Sequence, residues 1–144
     1  MVSEFNFLKP GTQSPVFTLT SKEGNKVVSE SLKGKYKYVQ FWEPWSVPSI
    51  KEQLLIKKLY EKYGETIEFV SISSERWNEL ATKKAVPQYP WMFLFGTDQS
   101  TIFEDFRVRS VPTYLVLDKD NKIVQYPADS PVSIEKLLYE ISMK

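Results

Sequence analysis

The hydroxyls of Ser46 and Ser49 stand three residues apart in Trp45-Ser46-Val47-Pro48-Ser49, between an aromatic-rich run and a stretch of helical periodicity. A serine hydroxyl does covalent chemistry only when a neighbouring base takes its proton. The 144-residue chain has no histidine and no cysteine. That excludes Ser-His-Asp and Cys-His catalysis, and every zinc site that needs imidazole or thiolate. Asp, Glu, Lys and Tyr remain as acids and bases, and the sequence shows no such group arranged around Ser46. The competing role is structural. Ser46 or Ser49 caps the following helix, Ser49-x-x-Glu52 matches a capping box, and Pro48 is tolerated at a helix start.

The elements that must hold this pair follow from local pattern. Val16–Thr20 alternates, turns through Ser21–Asn25 around Gly24, and returns as Lys26–Ser29, a β-hairpin. Ser29–Gly34 is a short helical or turn segment closed by glycine. Tyr36–Trp42 is rich in aromatic and β-branched residues and predicts a strand. A helix is expected over 49–63, with Ile50, Leu54, Leu55, Leu59 and Tyr63 as its apolar stripe and Gly64 as its stop. Ile67–Ser73 predicts a buried strand, and 75–85 a helix ending before Pro87. Trp91–Phe95 reads as a loop or a minor strand, and Gln99–Phe106 as a short helix. Thr113–Asp118 and Lys122–Tyr126 flank a hairpin turn, and Val132–Met143 is an amphipathic terminal helix. A hairpin, a βαβ unit and a closing ββα together imply one domain over 1–144. Its fold class is α/β, a mixed sheet flanked by helices.

Composition narrows the function classes. Nineteen basic and eighteen acidic residues give a net charge of +1, so nothing in the balance calls for nucleic acid or an anionic membrane. No apolar run reaches the ~20 residues of a membrane helix. The first ten residues show no hydrophobic core of a secretory signal. No cofactor or metal is expected.

Three blocks in order, spanning about residues 11 to 126, carry a resemblance. Gly34-Lys-Tyr-Lys-Tyr-Val-Gln-Phe-Trp-Glu-Pro-Trp-Ser-Val-Pro-Ser49 resembles the Gly-Lys…Phe-Trp-x-x-Trp-Cys-x-x-Cys block of TlpA/ResA-like thiol-disulfide oxidoreductases. These belong to the thioredoxin superfamily, next to the AhpC/TSA peroxiredoxins. Gly11-x-x-Ser-Pro15-x-Phe17-x-Leu19 resembles their entry strand, and Phe106-Arg-Val-Arg-Ser-Val-Pro112-Thr-Tyr-Leu-Val-Leu-Asp118 their cis-proline segment. The resemblance implies a thioredoxin-like fold with an N-terminal β-hairpin and a cis Val111–Pro112 bond. It puts the redox pair at Ser46 and Ser49, and a rim that receives extended peptide at Trp45, Val47, Pro48, Val111, Pro112 and Thr113. Phe41 is expected in the core, and Tyr89, Trp91 and Tyr114 near the same rim.

The mechanism implied by the family needs a thiolate at position 46 and a resolving thiol at 49, and serine supplies neither. Two readings follow. The chain is a redox-silent thioredoxin-like domain that binds a peptide or partner protein, or it is a thiol-disulfide oxidoreductase whose cysteines have been replaced by serine. Leu54, where many relatives carry a helix-kinking proline, and Glu43-Pro44, in place of the commoner small-residue pair, are further departures. A peroxidase of the AhpC/TSA type fits worse, because Pro44-Trp-Ser-Val-Pro48 lacks both its cysteine and its Pro-x-x-x-Thr pattern. The resemblance implies a bacterial periplasmic or envelope setting, with any membrane tether lying outside this chain.

Overall fold

The computed structural model describes residues 8–86 and 88–144. Its frame is a seven-stranded mixed sheet in the order β2-β1-β5-β4-β3-β6-β7. β1 (Thr18–Ser21) and β2 (Lys26–Val28) form the N-terminal hairpin. Its turn uses Gly24 at φ +89, a conformation that side chains rarely adopt. A 3-10 turn (Ser29–Leu32) leads to β3 (Tyr36–Phe41), and α1 (Val47–Tyr63) crosses to β4 (Ile67–Arg76). α2 (Glu79–Ala85), β5 (Met92–Gly96) and α3 (Ile102–Asp105) follow. β6 (Thr113–Leu117), β7 (Ile123–Gln125) and α4 (Glu135–Ser142) complete the chain. β3, β4 and β5 run parallel, while β6 lies antiparallel to β3 and β1 antiparallel to β5.

Strand alternation assigns side chains to two layers. Tyr38 and Trp42 of the β3 segment, Phe69 of β4, Phe93 of β5 and Val116 of β6 pack beneath Ile56 and Leu59 of α1 and Leu138 and Ile141 of α4. On the opposite face Val39, Phe41, Val70, Ile72, Leu94 and Leu115 pack with Ile102 and Phe106. Phe41 is fully buried, as expected, and its ring meets Phe103 edge-on and Phe106 at a tilt.

Several local expectations need correction. Trp91–Phe95 is neither loop nor minor strand. Residues 92–96 form β5, which pairs with β4 on one side and β1 on the other. Phe93, Leu94 and Phe95 are all buried, the signature of a strand covered on both faces. β4 runs on to Arg76 through a register shift after Ile72, so the helix expected from 75 begins at Glu79. Pro87, its expected stop, lies outside the described residues. The short helix expected over 99–106 covers only Ile102–Asp105. The stripe expected for α1 holds in part: Leu59 is buried and Leu55 and Tyr63 are half-buried, but Ile50 and Leu54 face outward, and Ser49, Gln53 and Ile56 take the other buried positions.

Candidate functional site

The site lies where β3 hands over to α1. Trp42 N–H donates to the Ile72 carbonyl at 2.9 Å, so the sheet carries one bond past the end of β3. Glu43 is then drawn under the β4 bulge. One carboxylate oxygen accepts from Ser73 Oγ (2.6 Å) and Ser74 N (3.0 Å), and the other from Ser74 Oγ (2.6 Å). A buried carboxylate must be hydrogen-bonded in this way to be tolerated. Burial pushes the Glu75 carboxyl above its ordinary range, and the charge of Glu43 pushes it further. From the sequence Glu43 is visible only as an unusual residue. Its role as an anchor needs Ser73 and Ser74, thirty positions away.

Helix α1 begins two residues before its expected start. Ser46, in extended conformation, is the N-cap, and its Oγ accepts from Ser49 N at 3.3 Å, with Pro48 inside the first turn. The Ser49–Glu52 capping box therefore does not form. Ser49 Oγ instead donates to Ser46 Oγ at 2.9 Å. Both residues are withdrawn from solvent, 4% and 0% exposed. Among the described residues, the bonds made by these hydroxyls join them to each other and to a backbone amide. The pair is the cap of α1, and among the described residues no hydrogen bond brings a base to either hydroxyl.

Beneath the pair lies a polar network that strand register builds. Gln40 on β3 faces Ser71 across the parallel ladder and Tyr114 across the antiparallel one. Its Nε2 donates to the Ser49 carbonyl and the Tyr114 hydroxyl, both at 3.2 Å. Its Oε1 accepts from Gln53 Nε2 (3.0 Å) and Ser71 Oγ (3.1 Å), and Ser71 in turn accepts from Trp91 Nε1 (2.9 Å). Tyr114 closes the network by donating to Glu52 Oε1 at 2.8 Å. Burial first, and the Glu52 carboxylate second, push the Tyr114 phenol well above the ordinary tyrosine range, so it stays a neutral donor. Sequence reasoning missed this layer because Gln40 and Gln53 look like solvated residues until α1 is placed on the sheet. Tyr114 and Trp91, expected near the rim, are buried in it. Tyr89 stacks on Trp91 with ring centroids 4.4 Å apart.

The outer side of the same turn is different. Trp45 is 70% exposed, Val47 and Pro48 are exposed, and Val47, Ile50 and Leu54 follow at helical spacing as one outward apolar stripe. Opposite stands the segment Val111-Pro112-Thr113, half-buried, with a cis Val111–Pro112 peptide and Thr113 Oγ1 donating to the Ser110 carbonyl at 2.6 Å. A cleft of about 140 Å³ separates Trp45 from residues 108–111, with Glu43 and Phe103 at its floor. Trp45 and Val111 thus share a cleft. Thr113 lines the neighbouring groove, and Val47 and Pro48 line neither.

The redoxin family model matches residues 9–136, which is most of the chain. The thiol-disulfide oxidoreductase ResA of Bacillus cereus is 35% identical over 117 residues, 80% of this chain and 67% of that protein. Among solved structures, the thioredoxin domain of a Bacteroides vulgatus thiol-disulfide oxidoreductase superposes with a TM-score of 0.78. It is 22% identical, and the match covers 93% of this chain and 99% of that one. An exposed lipoprotein thioredoxin of Streptococcus pneumoniae gives 0.72 at 21% identity, covering 88% and 99%. With a thioredoxin-like sheet and these relatives in agreement, the chain belongs to the redoxin family, among its ResA-like thiol-disulfide oxidoreductase domains, and it contains no cysteine.

Proposed function

We propose that the chain is a redox-silent thioredoxin-like domain that binds an extended peptide segment of a partner protein. The contact surface is the rim of Trp45, Val47 and Pro48 on one side and Val111, Pro112 and Thr113 on the other. The observation that carries this reading is the contrast within one helical turn: Ser46 and Ser49 are buried and bonded to each other, while Trp45 stands 70% exposed above an open cleft. An exposed tryptophan beside a concave surface is the residue type on which binding energy concentrates. The similarity to ResA supports a bacterial envelope setting.

Calorimetric titration with reduced, carboxymethylated insulin B chain, an unfolded probe without free thiols, tests the binding. Heat of binding is expected with the chain as it stands and is lost in Trp45→Ala. No heat with either protein would contradict the proposal.

A second reading, an oxidoreductase with serine in place of its cysteines, is favoured by the Oγ–Oγ distance of 2.9 Å. Side chains that meet this closely at a helix start stand where a dithiol would close. Insulin reduction by a Ser46→Cys/Ser49→Cys variant separates the two. Turnover comparable to that of an active dithiol domain would favour the second reading. An inactive double variant would show a site that has diverged beyond its thiols. Reduction of insulin by the chain as given would contradict both.

A further inference from the structure

We infer that the outward face of α1 docks on an anionic lipid surface. The inference goes beyond the peptide-binding reading and does not need it. Of the large apolar side chains exposed among the described residues, Trp45, Val47, Ile50 and Leu54 fall together on α1 and the turn before it. Helical spacing puts the last three on one side, away from the buried Ser49, Gln53, Ile56 and Leu59. Contiguous exposed apolar surface of this kind marks a contact site.

The charge around that ridge selects its occupant. Leu54 is 60% exposed, and its neighbours three and four positions away along the helix are Ile50, Lys51, Lys57 and Lys58, all exposed. Among the described residues none of these lysines makes an ion pair, whereas Lys62, further along, is held by Glu135 at 2.7 Å. Glu52 is engaged by the Tyr114 hydroxyl, which leaves Glu61 as the one carboxylate among the exposed residues of α1. Shape narrows the choice further. Neither the Trp45 cleft nor the groove beside Thr113 is lined by Ile50, Leu54 or these lysines. A helix side that projects from a sheet is a ridge, and a protein ligand would need a matching groove of its own. A headgroup layer conforms to a ridge. It takes in the apolar side chains while the long lysine stems carry their charge to the phosphates. Lysine suits this as a flexible point charge, and each one near an anionic surface adds to the attraction. Docked in this way, α1 holds Trp45 at the bilayer surface.

Co-sedimentation of the whole chain with mixed phosphatidylglycerol/phosphatidylcholine vesicles, against vesicles of phosphatidylcholine alone, tests this. Partitioning onto the anionic vesicles is expected to be at least about tenfold stronger, the size expected of a few lysines at an anionic surface. It should vanish at about 1 M salt, where screening is complete within a few ångströms. A Lys51→Gln/Lys57→Gln/Lys58→Gln variant should lose the preference, and Leu54→Ser should weaken vesicle binding several-fold. Glu61→Gln, which takes the carboxylate off this face, should strengthen vesicle binding, a gain that a misfolded chain would not give. Equal partitioning onto both vesicle types, no partitioning, or a preference unchanged in the lysine variant would overturn the inference. Binding of polyglutamate by a chain that neither vesicle sediments would make the face a protein contact and overturn it too. Vesicle binding with these responses, in a chain that gives no heat with insulin B chain, would uphold the inference and contradict only the peptide-binding reading.

Discussion

The first turn of α1 has an inner and an outer side, and they are built on opposite principles. Inward, Ser49 and Gln53 meet Gln40, Ser71 and Tyr114 in a layer where nearly every polar atom has a partner. Outward, Trp45, Val47, Ile50 and Leu54 offer apolar surface that nothing in the described chain covers. A turn selected only for stability would bury Ile50 and Leu54 and expose the glutamines. Here the pattern is reversed at the head of the helix: hydrogen bonds hold Ser49 and Gln53 inward, Ile50 and Leu54 point outward, and apolar burial resumes only at Ile56 and Leu59. Bonded buried networks of this kind rigidify one geometry, which would hold Trp45 in a set position if it makes the proposed contact.

The contrast can be broken most forcefully from the inside. Gln40→Ala strips partners from the Ser49 carbonyl, the Gln53 amide and Ser71, and should cost about 3 kcal/mol in denaturant unfolding. A loss below about 0.5 kcal/mol would show that the network holds nothing. Glu43→Gln removes a charge that accepts three bonds and should cost about 2 kcal/mol. The same change should let the Glu75 carboxyl fall back toward its ordinary range, readable by NMR titration.

Titration sharpens the comparison. The network under α1 relies on neutral amides and a neutral phenol, whereas the start of the same strand β3 buries a lysine. Lys37 Nζ donates to the Leu32 carbonyl at 2.8 Å, and burial lowers its pKa from 10.5 to about 8. Between those values the unfolded chain holds a proton that the folded chain does not. The Lys37 contribution to stability therefore rises as pH climbs from about 8 to 10.5, by at most about 3 kcal/mol. Lys37→Met should flatten that rise in a difference curve against the unsubstituted chain. An unchanged curve would refute the assignment.

Smaller effects belong to the cap and the rim. Ser46→Ala removes the bond accepted from Ser49 N and should cost about 1 kcal/mol. Trp45→Ala should change stability by under about 0.5 kcal/mol, since the side chain is exposed, yet abolish peptide binding. Large destabilisation by Trp45→Ala would make it a packing residue and erase the contrast between the two sides.

The sequence displays what depends on local pattern. The β3 run, the turn at Trp45–Ser49, the fully buried Phe41 and the terminal hairpin and helix stand close to where their residues put them. Failures occur where long-range pairing overrides the pattern. Trp91–Phe95 is too short and apolar to declare itself a central strand until β1 and β4 claim its two edges. Ile50 and Leu54 satisfy a helical stripe as well as Gln53 and Ile56 do, and the sheet decides which face turns inward, through the polar floor of Gln40 and Ser71 under Gln53 and the apolar cluster under Ile56 and Leu59. Glu43 gains its meaning from serines on another strand, and the groove beside Thr113 joins residue 9 to residues 107–127. Neither juxtaposition leaves a mark in local spacing.

The central claim is that this turn works through its exposed tryptophan and not through its buried hydroxyls. Backbone amide shift mapping during titration with carboxymethylated insulin B chain tests it most directly. Shifts are expected to cluster at the amides of Trp45–Val47 and of Val111 and Thr113. Shifts centred on any other face, or none at saturating peptide, would contradict it.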